Sequence, residues 1–314
     1  MIDKIKSDNT NFYHDDEISL KELFLILWSR KKTIIFITSL SAFLSILIAL
    51  SITNTYTSKS LLSPTEPQDS LSSKLGGLSS ISGMAGFSLP NSPSSQSQEG
   101  IERIKSFEFF STFFLPNIKL ENIMAVKKWI RQENILIYNK KLFDADSNKW
   151  VRDVQYPKKE MPSEQEAYKV YKKILTVTED DNTSFISISI DHKSPIIAKK
   201  WVDIIINEIN ESMRKIDADT AKKSVSYLNE TAKTVKIQSM KEIISSLLEN
   251  QIKTLMLISS NKSYVFKVID SPIISEEKSK PNRALICIFG TLLGGMLSLF
   301  IVFFLHYREN LNTN

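Results

Sequence analysis

The side chains that most often do chemistry in enzymes are few in this chain and far apart. The three histidines are His14, His192 and His306, and the pattern around them indicates a polar leader, a loop and the end of an apolar run. A metal site or a Ser–His–Asp triad needs its side chains to converge on one point. We therefore expect no metal site, no triad and no cofactor.

Two acidic runs are the other candidates for acid–base chemistry. They cover residues 15–17 and 179–181, where the pattern indicates a helix start and a turn. Carboxylates in such places are more simply explained as solvated charges than as a general acid and base. Residues 101–289 contain no glycine, which excludes a Gly-rich phosphate loop there. The sequence thus predicts a protein that is not an enzyme.

Composition narrows the remaining classes of function. The formal net charge is +5, and the acidic and basic residues are mixed along the chain instead of forming the basic cluster that nucleic-acid binding needs. Cys287 is the single cysteine, so no disulfide within the chain can form. Cys287 lies in an apolar run and is interpreted as a small apolar residue.

One glycine pattern near the C-terminus has a physical use. Gly290 and Gly294 are four residues apart, and Gly295 follows them. In a membrane this spacing lets another helix approach closely. We predict a packing face that contacts the first apolar run, a neighbouring copy or another membrane partner. The alternative is that glycine is simply frequent in membrane spans.

Two apolar runs, near the two ends of the chain, organise the rest of the sequence. Residues 34–52 form the first, and residues 284–305 form the second, which carries no charge. A helix as long as the second run covers about 33 Å, enough to cross a hydrocarbon core of about 30 Å. We assign transmembrane helices to 33–53 and 284–305, and cytoplasmic segments to 1–32 and 306–314.

The charges around the first run predict its orientation. Arg30, Lys31 and Lys32 directly precede it, and positive residues favour the cytoplasmic side. The charges around the second run favour the opposite orientation, but the first span usually dominates. A cleavable signal peptide is disfavoured by the long polar leader and by the absence of a small-x-small site after Ile52. We expect both termini in the cytoplasm and the middle of the chain in the periplasm.

The leader itself permits two interpretations. Leu20, Leu23, Phe24 and Leu27 recur at helical spacing. They predict either a short amphipathic helix on the membrane surface, with Trp28 at headgroup level, or a continuation of the first span.

Residues 54–283 predict an α+β fold, one large domain or one domain with a long extension, because helical and strand-like patterns both occur along them. Ser163 and Glu166 form a capping box that starts one of the helices. Residues 68–100 are rich in Ser and Gly and predict a flexible linker or a lid near the membrane. We predict strands at 55–62, 183–190 and 264–269, helices at 98–114, 118–130 and 163–174, a turn at 144–148, and core anchors at Tyr138, Phe143 and Trp150.

The longest predicted element covers residues 195–260, which contain no glycine and no proline after Pro195. Apolar residues recur there at spacings of three and four, with a weaker point at 217–220. A helix of about 40 residues reaches about 60 Å, which is longer than a compact domain needs. We expect this helix to project from an α/β base and to find partners along its length.

Several of these segments, in this order, resemble the Wzz-type chain length determinants, which are polysaccharide co-polymerases of the bacterial inner membrane. Residues 270–283 and the glycine-containing span resemble the family's C-terminal signature, and residues 16–28 resemble its N-terminal motif. Residues 106–110 and 194–201 resemble its early helix and its strand-to-helix junction. The juxtamembrane residues that this resemblance singles out are Pro272, Lys280, Pro281 and Arg283.

The resemblance implies a homo-oligomer, a closed ring of several protomers with a periplasmic α/β base and two membrane helices each. Such proteins regulate the modal length of lipopolysaccharide O-antigen together with the O-antigen polymerase, which becomes a third possible partner for the glycine face. The chain resembles the class without a fused tyrosine kinase. Length control or export of a capsular polysaccharide or exopolysaccharide is the alternative function, and a two-span sensor is a third.

The resemblance also gives the basic juxtamembrane residues two possible roles. Lys278, Lys280 and Arg283 either meet phosphates, of membrane lipid or of an undecaprenyl-linked polysaccharide, or serve as plain interfacial anchors.

Overall fold

The computed structural model describes residues 27–65, 93–260 and 263–313. The helices are α1 (Lys31–Ser51), α2 (Pro93–Lys105), α3 (Phe107–Phe109), α4 (Leu120–Met124), α5 (Glu164–Ile174), α6 (Pro195–Thr234), α7 (Gln238–Ser260) and α8 (Arg283–Thr313). The strands are β1 (Tyr56–Pro64), β2 (Val126–Ile130), β3 (Ile135–Tyr138), β4 (Phe143–Asp144), β5 (Lys149–Trp150), β6 (Leu175–Glu179), β7 (Ile186–His192) and β8 (Phe266–Asp270).

The chain divides into two compact units. The terminal unit consists of Met1–Ile52 and Pro281–Asn314, and the central unit consists of Thr53–Lys280. The predicted leader helix, up to residue 26, and the Ser/Gly-rich segment 66–92 lie outside the described residues.

In the terminal unit, α1 and α8 are the predicted apolar helices. By length and composition, Lys31–Ser51 and Arg283–His306 are both able to cross a membrane. Only 11% of the apolar stretch of α1 and 17% of that of α8 is buried, unlike the core helix of a soluble protein. The helix α8 does not stop at residue 305 but continues through the segment that was expected to be a tail.

The central unit contains a four-stranded antiparallel sheet in the order β6-β7-β1-β8. The first and last strands of the unit therefore pair with each other. In β7, Ile186, Ile188 and Ile190 are fully buried and alternate with half-exposed residues. This strand begins after Thr183 because the Asp180 carboxylate accepts the Thr183 N–H at 2.9 Å and holds a turn there.

One face of the sheet packs on the first half of α6. Trp201, Ile205 and Ile209 of α6 are buried in one cluster with the isoleucines of β7. Phe114 and Tyr171 extend this cluster, with ring centroids 4.9 Å apart, and Phe114 also meets Trp201 edge-on at 5.7 Å. Aromatic rings therefore join the short helices to the long one.

The helix predicted over 98–114 is interrupted. It begins earlier, at Pro93, since the first position of a helix tolerates the missing N–H of proline. It ends at Lys105 because Ser106 is extended and caps the next helix by accepting the Phe109 N–H at 3.1 Å. The chain then widens into a π-turn over Phe110–Phe114. After this break Phe109 is buried, whereas Phe107 is 39% exposed.

The helix predicted over 118–130 is wrong in its second half. Only Leu120–Met124 is helical, and Val126–Ile130 instead forms β2, which pairs with β3. Asn134 supplies the positive φ of 53° in the turn between the two strands. Val, Trp and Ile favour strands when a partner strand is present, and the helical spacing alone did not reveal that partner.

Two other local predictions are confirmed. Phe143 is buried between Tyr138 and Trp150, with ring centroids 5.4 and 5.1 Å apart. The Ser163 hydroxyl accepts the Glu166 N–H, and the Glu166 carboxylate accepts the Ser163 N–H, so the capping box starts α5 as expected.

The capping glutamate is also half of an ion pair. Arg152 donates to both carboxylate oxygens of Glu166 at 3.0 Å, and both side chains are largely buried. The hydrogen bond from Arg152 lowers the pKa of Glu166 to about 2. The pair therefore stays charged at neutral pH and holds the 152–163 segment against α5.

The element predicted as one helix over 195–260 is a helical hairpin. The expected weak point at 217–220 is wrong, because α6 is continuous there. The chain instead turns at 235–237, where Val235 is extended, and α7 returns beside α6. Near this turn Thr231 and Thr234 bond back to helix carbonyls, which competes with helix continuation. The Tyr264 hydroxyl donates to Asp217 at 2.7 Å after the return.

Asn210 holds the base of this hairpin. Its side-chain carbonyl accepts the N–H groups of Tyr264, Val265 and Phe266 at 2.8–3.0 Å. Its amide donates to the carbonyls of Ile206 and Phe266 at 2.9 and 3.1 Å. Asn210 is buried, and its one side chain is a hydrogen-bond partner of five backbone groups.

We predict that Asn210→Leu destabilises the central unit. Each buried polar group left unsatisfied costs about 1–3 kcal/mol, so we expect the free energy of unfolding to fall by about 3 kcal/mol or more. Urea unfolding of the detergent-solubilised chain, followed by tryptophan fluorescence, measures this change. Asn207→Leu, at an exposed position of the same helix, is the matched control. Equal effects of the two substitutions would contradict the role of Asn210.

Candidate membrane packing site and juxtamembrane segment

The predicted glycine face lies where α8 meets α1. A Cβ added to Gly290 would overlap the Ser45 side chain, and one added to Gly294 would overlap Ser41. The Ser41 hydroxyl donates to the Gly290 carbonyl at 2.9 Å. Gly295 has nothing within 4 Å of the corresponding position and faces away from the contact. Two of the three glycines therefore permit the close approach of the two helices.

Small residues of α1 form the other side of this contact. Ser45 and Ala49 are buried, and with Ser41 they recur every four residues along one side of α1. The Arg283 guanidinium donates to the Ala49 carbonyl at 3.2 Å, so the helices run antiparallel. Sequence reasoning identified the glycines but missed these residues, although the small-xxx-small spacing in the first run was a usable signal.

In the central unit, residues 270–280 run beside β1 and continue its pairing beyond the end of β8. Ser60 and Ser58, both buried, donate to the carbonyls of Asp270 and Ile273 at 2.6 and 2.8 Å. Further along, the Thr55 N–H donates to the Lys280 carbonyl at 2.9 Å. Pro272 is buried within this stretch. The segment is thus fixed along its length by β1.

The predicted basic residues Lys278, Lys280 and Arg283 divide between the two units. The Lys280 ammonium lies 2.6 Å from Asp191, which also accepts a hydrogen bond from the Thr57 hydroxyl at 2.5 Å. Arg283 belongs to the terminal unit, as does Pro281. The Lys280 side chain is mostly exposed, so we assign this ion pair little stabilising energy.

A buried histidine, His192, lies next to Asp191. Its Nδ1 accepts the Ser194 N–H at 3.0 Å, and its Nε2 donates to the Asn122 carbonyl at 3.0 Å. Burial lowers the pKa of His192, and the ring packs on Trp201 with centroids 4.8 Å apart. This arrangement fits a neutral ring that joins α4 to the start of α6.

Within residues 27–65, 93–260 and 263–313, no three His, Cys, Asp or Glu side chains lie close enough together to hold a metal ion. The contacts described above join helices and strands.

The fold and these contacts define a class of protein: a mixed helix and strand body whose two ends each continue into a long apolar helix. The family model described as "Wzz: Chain length determinant protein" matches residues 16–113. The model described as "GNVR: G-rich domain on putative tyrosine kinase" matches residues 234–307. The chain belongs to the Wzz-type family of chain length determinants, and α1 and α8 fit a two-pass membrane protein.

Two solved structures have the same kind of description. One, "full-length bacterial polysaccharide co-polymerase", is 14% identical, covers 94% of this chain and 100% of its own, and has a TM-score of 0.41. The other, "Fragment of WzzB, Polysaccharide Co-polymerase from Salmonella Typhimurium", is 12% identical, covers 72% and 100%, and has a TM-score of 0.30. No curated protein matches the chain. The family assignment is based on the two sequence models.

We predict that Gly290→Leu and Gly294→Leu disrupt the α1–α8 contact, because each leucine would overlap a serine of α1. The control is Gly295→Leu, which points away from α1 and adds the same volume. Cysteine pairs placed across the contact should crosslink at least about fivefold less in the first two variants, a loss of about 1 kcal/mol of packing. Equal crosslinking in all three would show that the glycines do not determine the contact.

We also predict a pH effect from His192. The unfolded chain binds a proton as pH falls through about 6.5, whereas the buried ring remains neutral to lower pH. The unfolded state therefore binds more protons in this window, and the free energy of unfolding falls as pH falls below about 7. His192→Gln should lose part of this slope in urea unfolding measured at about pH 7.5 and 5.5. Identical slopes for the two proteins would contradict a neutral buried His192.

Proposed function

We propose that this protein regulates the modal chain length of lipopolysaccharide O-antigen as an oligomeric scaffold that acts with the O-antigen polymerase. The observation that carries the proposal is family membership, since the matched family consists of chain length determinants. The contacts support a scaffold, because the buried side chains of Ser58, His192 and Asn210 each hold separate segments of the central unit together. On this proposal the protein is not itself an enzyme, and the polymerase forms the glycosidic bonds.

The proposed location is the bacterial inner membrane, with α1 and α8 as its two spans. Arg30 and two lysines precede the apolar part of α1, which favours a cytoplasmic N-terminus. With two spans, the C-terminus is also cytoplasmic, and Thr53–Lys280 is periplasmic. A periplasmic central unit is on the side where O-antigen repeats are polymerised, as the family resemblance implies.

Oligomerisation is supported by the exposed side chains of α7. Ile244 and Ile258 are buried, but the apolar sector of α7 is wider than the strip that packs on α6. Helical spacing puts Ile243 and Leu247 on one flank of that strip and Met256 on the opposite flank. These three side chains are 44–66% exposed. Two apolar flanks on opposite sides suit a ring, in which each protomer contacts two neighbours.

The membrane part of the scaffold has two further proposed contacts. Gly290 and Gly294 are used within the protomer, so Gly295 is the glycine that is left for a second helix, from the polymerase or from a neighbouring copy. Lys278 is exposed just before α8, where lipid phosphate or an undecaprenyl-linked polysaccharide would be in reach.

Deletion of the gene should change the modal length of O-antigen on a lipopolysaccharide gel while polymer is still made. Complementation with the wild-type gene should restore the mode, whereas Ile243→Asn with Leu247→Asn should not restore it and should lower the oligomer mass in mild detergent. Ser246→Asn, at an exposed polar position of the same helix, is the matched control.

Three results of that experiment would contradict the proposal. Loss of all polymer on deletion would indicate a role in synthesis itself. An unchanged O-antigen together with a changed capsular polysaccharide or exopolysaccharide would move the function to another polymer. A wild-type protein that is monomeric in mild detergent would rule out the oligomeric scaffold.

A further inference from the structure

The pair of strands β2 and β3, here called the β2–β3 ribbon (residues 126–138), has one apolar face that the described contacts leave largely uncovered. Lys128 lies opposite Ile137, and Ile130 lies opposite Ile135, so these four side chains share that face. Ile135 is 49% exposed and Ile137 is 39% exposed. We call these four residues the outer face of the ribbon.

The inner side of the ribbon packs on the part of the central unit that continues into the two spans. The Trp129 ring meets the Tyr56 ring edge-on, with centroids 5.4 Å apart. Arg131 donates to the Glu276 carbonyl at 3.3 Å. Tyr56 follows the last residue of α1, Ser51, by five residues, which reach at most about 18 Å when fully extended. Chain connectivity alone therefore keeps the ribbon close to a membrane that α1 crosses.

The charge of this region suits an anionic surface. Residues 126–141 contain five basic residues and one acidic residue, a formal net charge of +4. Lys127 and Lys128 are exposed at the edge of the apolar face. Basic residues near an anionic bilayer contribute about 1 kcal/mol each, and apolar side chains beside them can enter the headgroup region.

We propose that the outer face of the β2–β3 ribbon binds the surface of an anionic phospholipid bilayer, with Ile135 and Ile137 at headgroup level and Lys127 and Lys128 on lipid phosphates. A second copy of the ribbon is the competing occupant. A contact between two ribbons would bring two segments of formal net charge +4 together, which is unfavourable. This inference rests on the membrane anchoring within the proposed function.

Depth-dependent quenching tests the proposal on the full-length chain. A Cys287→Ala parent carries one new cysteine, Ile135→Cys, labelled with an environment-sensitive fluorophore and reconstituted in nanodiscs of phosphatidylcholine and phosphatidylglycerol. Tyr227→Cys, which is 71% exposed on α6, is the matched site. Brominated lipid should quench the label at position 135 at least twofold more than the label at position 227. Lys127→Gln with Lys128→Gln should reduce this difference in anionic nanodiscs.

The possible results distinguish a failure of the ribbon contact from a failure of membrane anchoring. Incorporation of the chain into nanodiscs with equal quenching at the two positions would overturn the ribbon proposal alone. Crosslinking of Ile135→Cys between two copies without lipid quenching would also overturn it and would indicate a second copy as the occupant. A chain that fails to incorporate would contradict both the anchoring and the ribbon contact.

Discussion

The pairing of β1 with the last segment of the central unit is the constraint on which the rest of that unit depends. The unit begins at Thr53 and ends at Lys280, and Thr55 is hydrogen-bonded to Lys280. The chain therefore enters and leaves the unit at the same place, after more than 200 residues. Closing a loop of that length lowers the conformational entropy of the chain. A helix, which joins near neighbours only, has no such closure cost. The ladder from β1 to β8, and the side chains of Ser58 and Ser60 beyond it, offset this cost.

Buried polar side chains complete this closure where the ladder ends. Asn210 satisfies three consecutive N–H groups just before and at the start of β8, which would otherwise be buried without partners. Elsewhere in the unit, His192 joins β7 to the carbonyl of Asn122 in α4. In both places one polar side chain fixes the direction of a segment that apolar packing alone would leave free to shift. These two groups act structurally, because each joins segments that are distant in the sequence.

The sequence predicted those features whose signals are local. The capping box at Ser163, the apolar runs of the two spans and the alternation in β7 each depend on a few neighbouring residues, and each was found near its predicted place. Features that depend on distant partners were missed. The strand β2 looked helical because its partner β3 was not considered, and the role of Asn210 depends on residues more than 50 positions away. The glycine face was predicted, but its contact with Ser41 and Ser45 required the structure.

The helical hairpin shows most clearly why the sequence pattern was insufficient. An apolar residue at every third or fourth position continues through residues 195–260, and neither glycine nor proline interrupts it. The turn at 235–237 instead follows two threonines whose hydroxyls bond to helix carbonyls, a signal too common to mark a helix end by itself. The turn shortens the helical element from residues 195–260 to the 40 residues of α6 but makes it wider, because α7 lies beside α6. A wider element with apolar residues on two flanks is better suited to the proposed side-by-side assembly than one projecting helix. Each copy would then present an apolar surface to each of two neighbours.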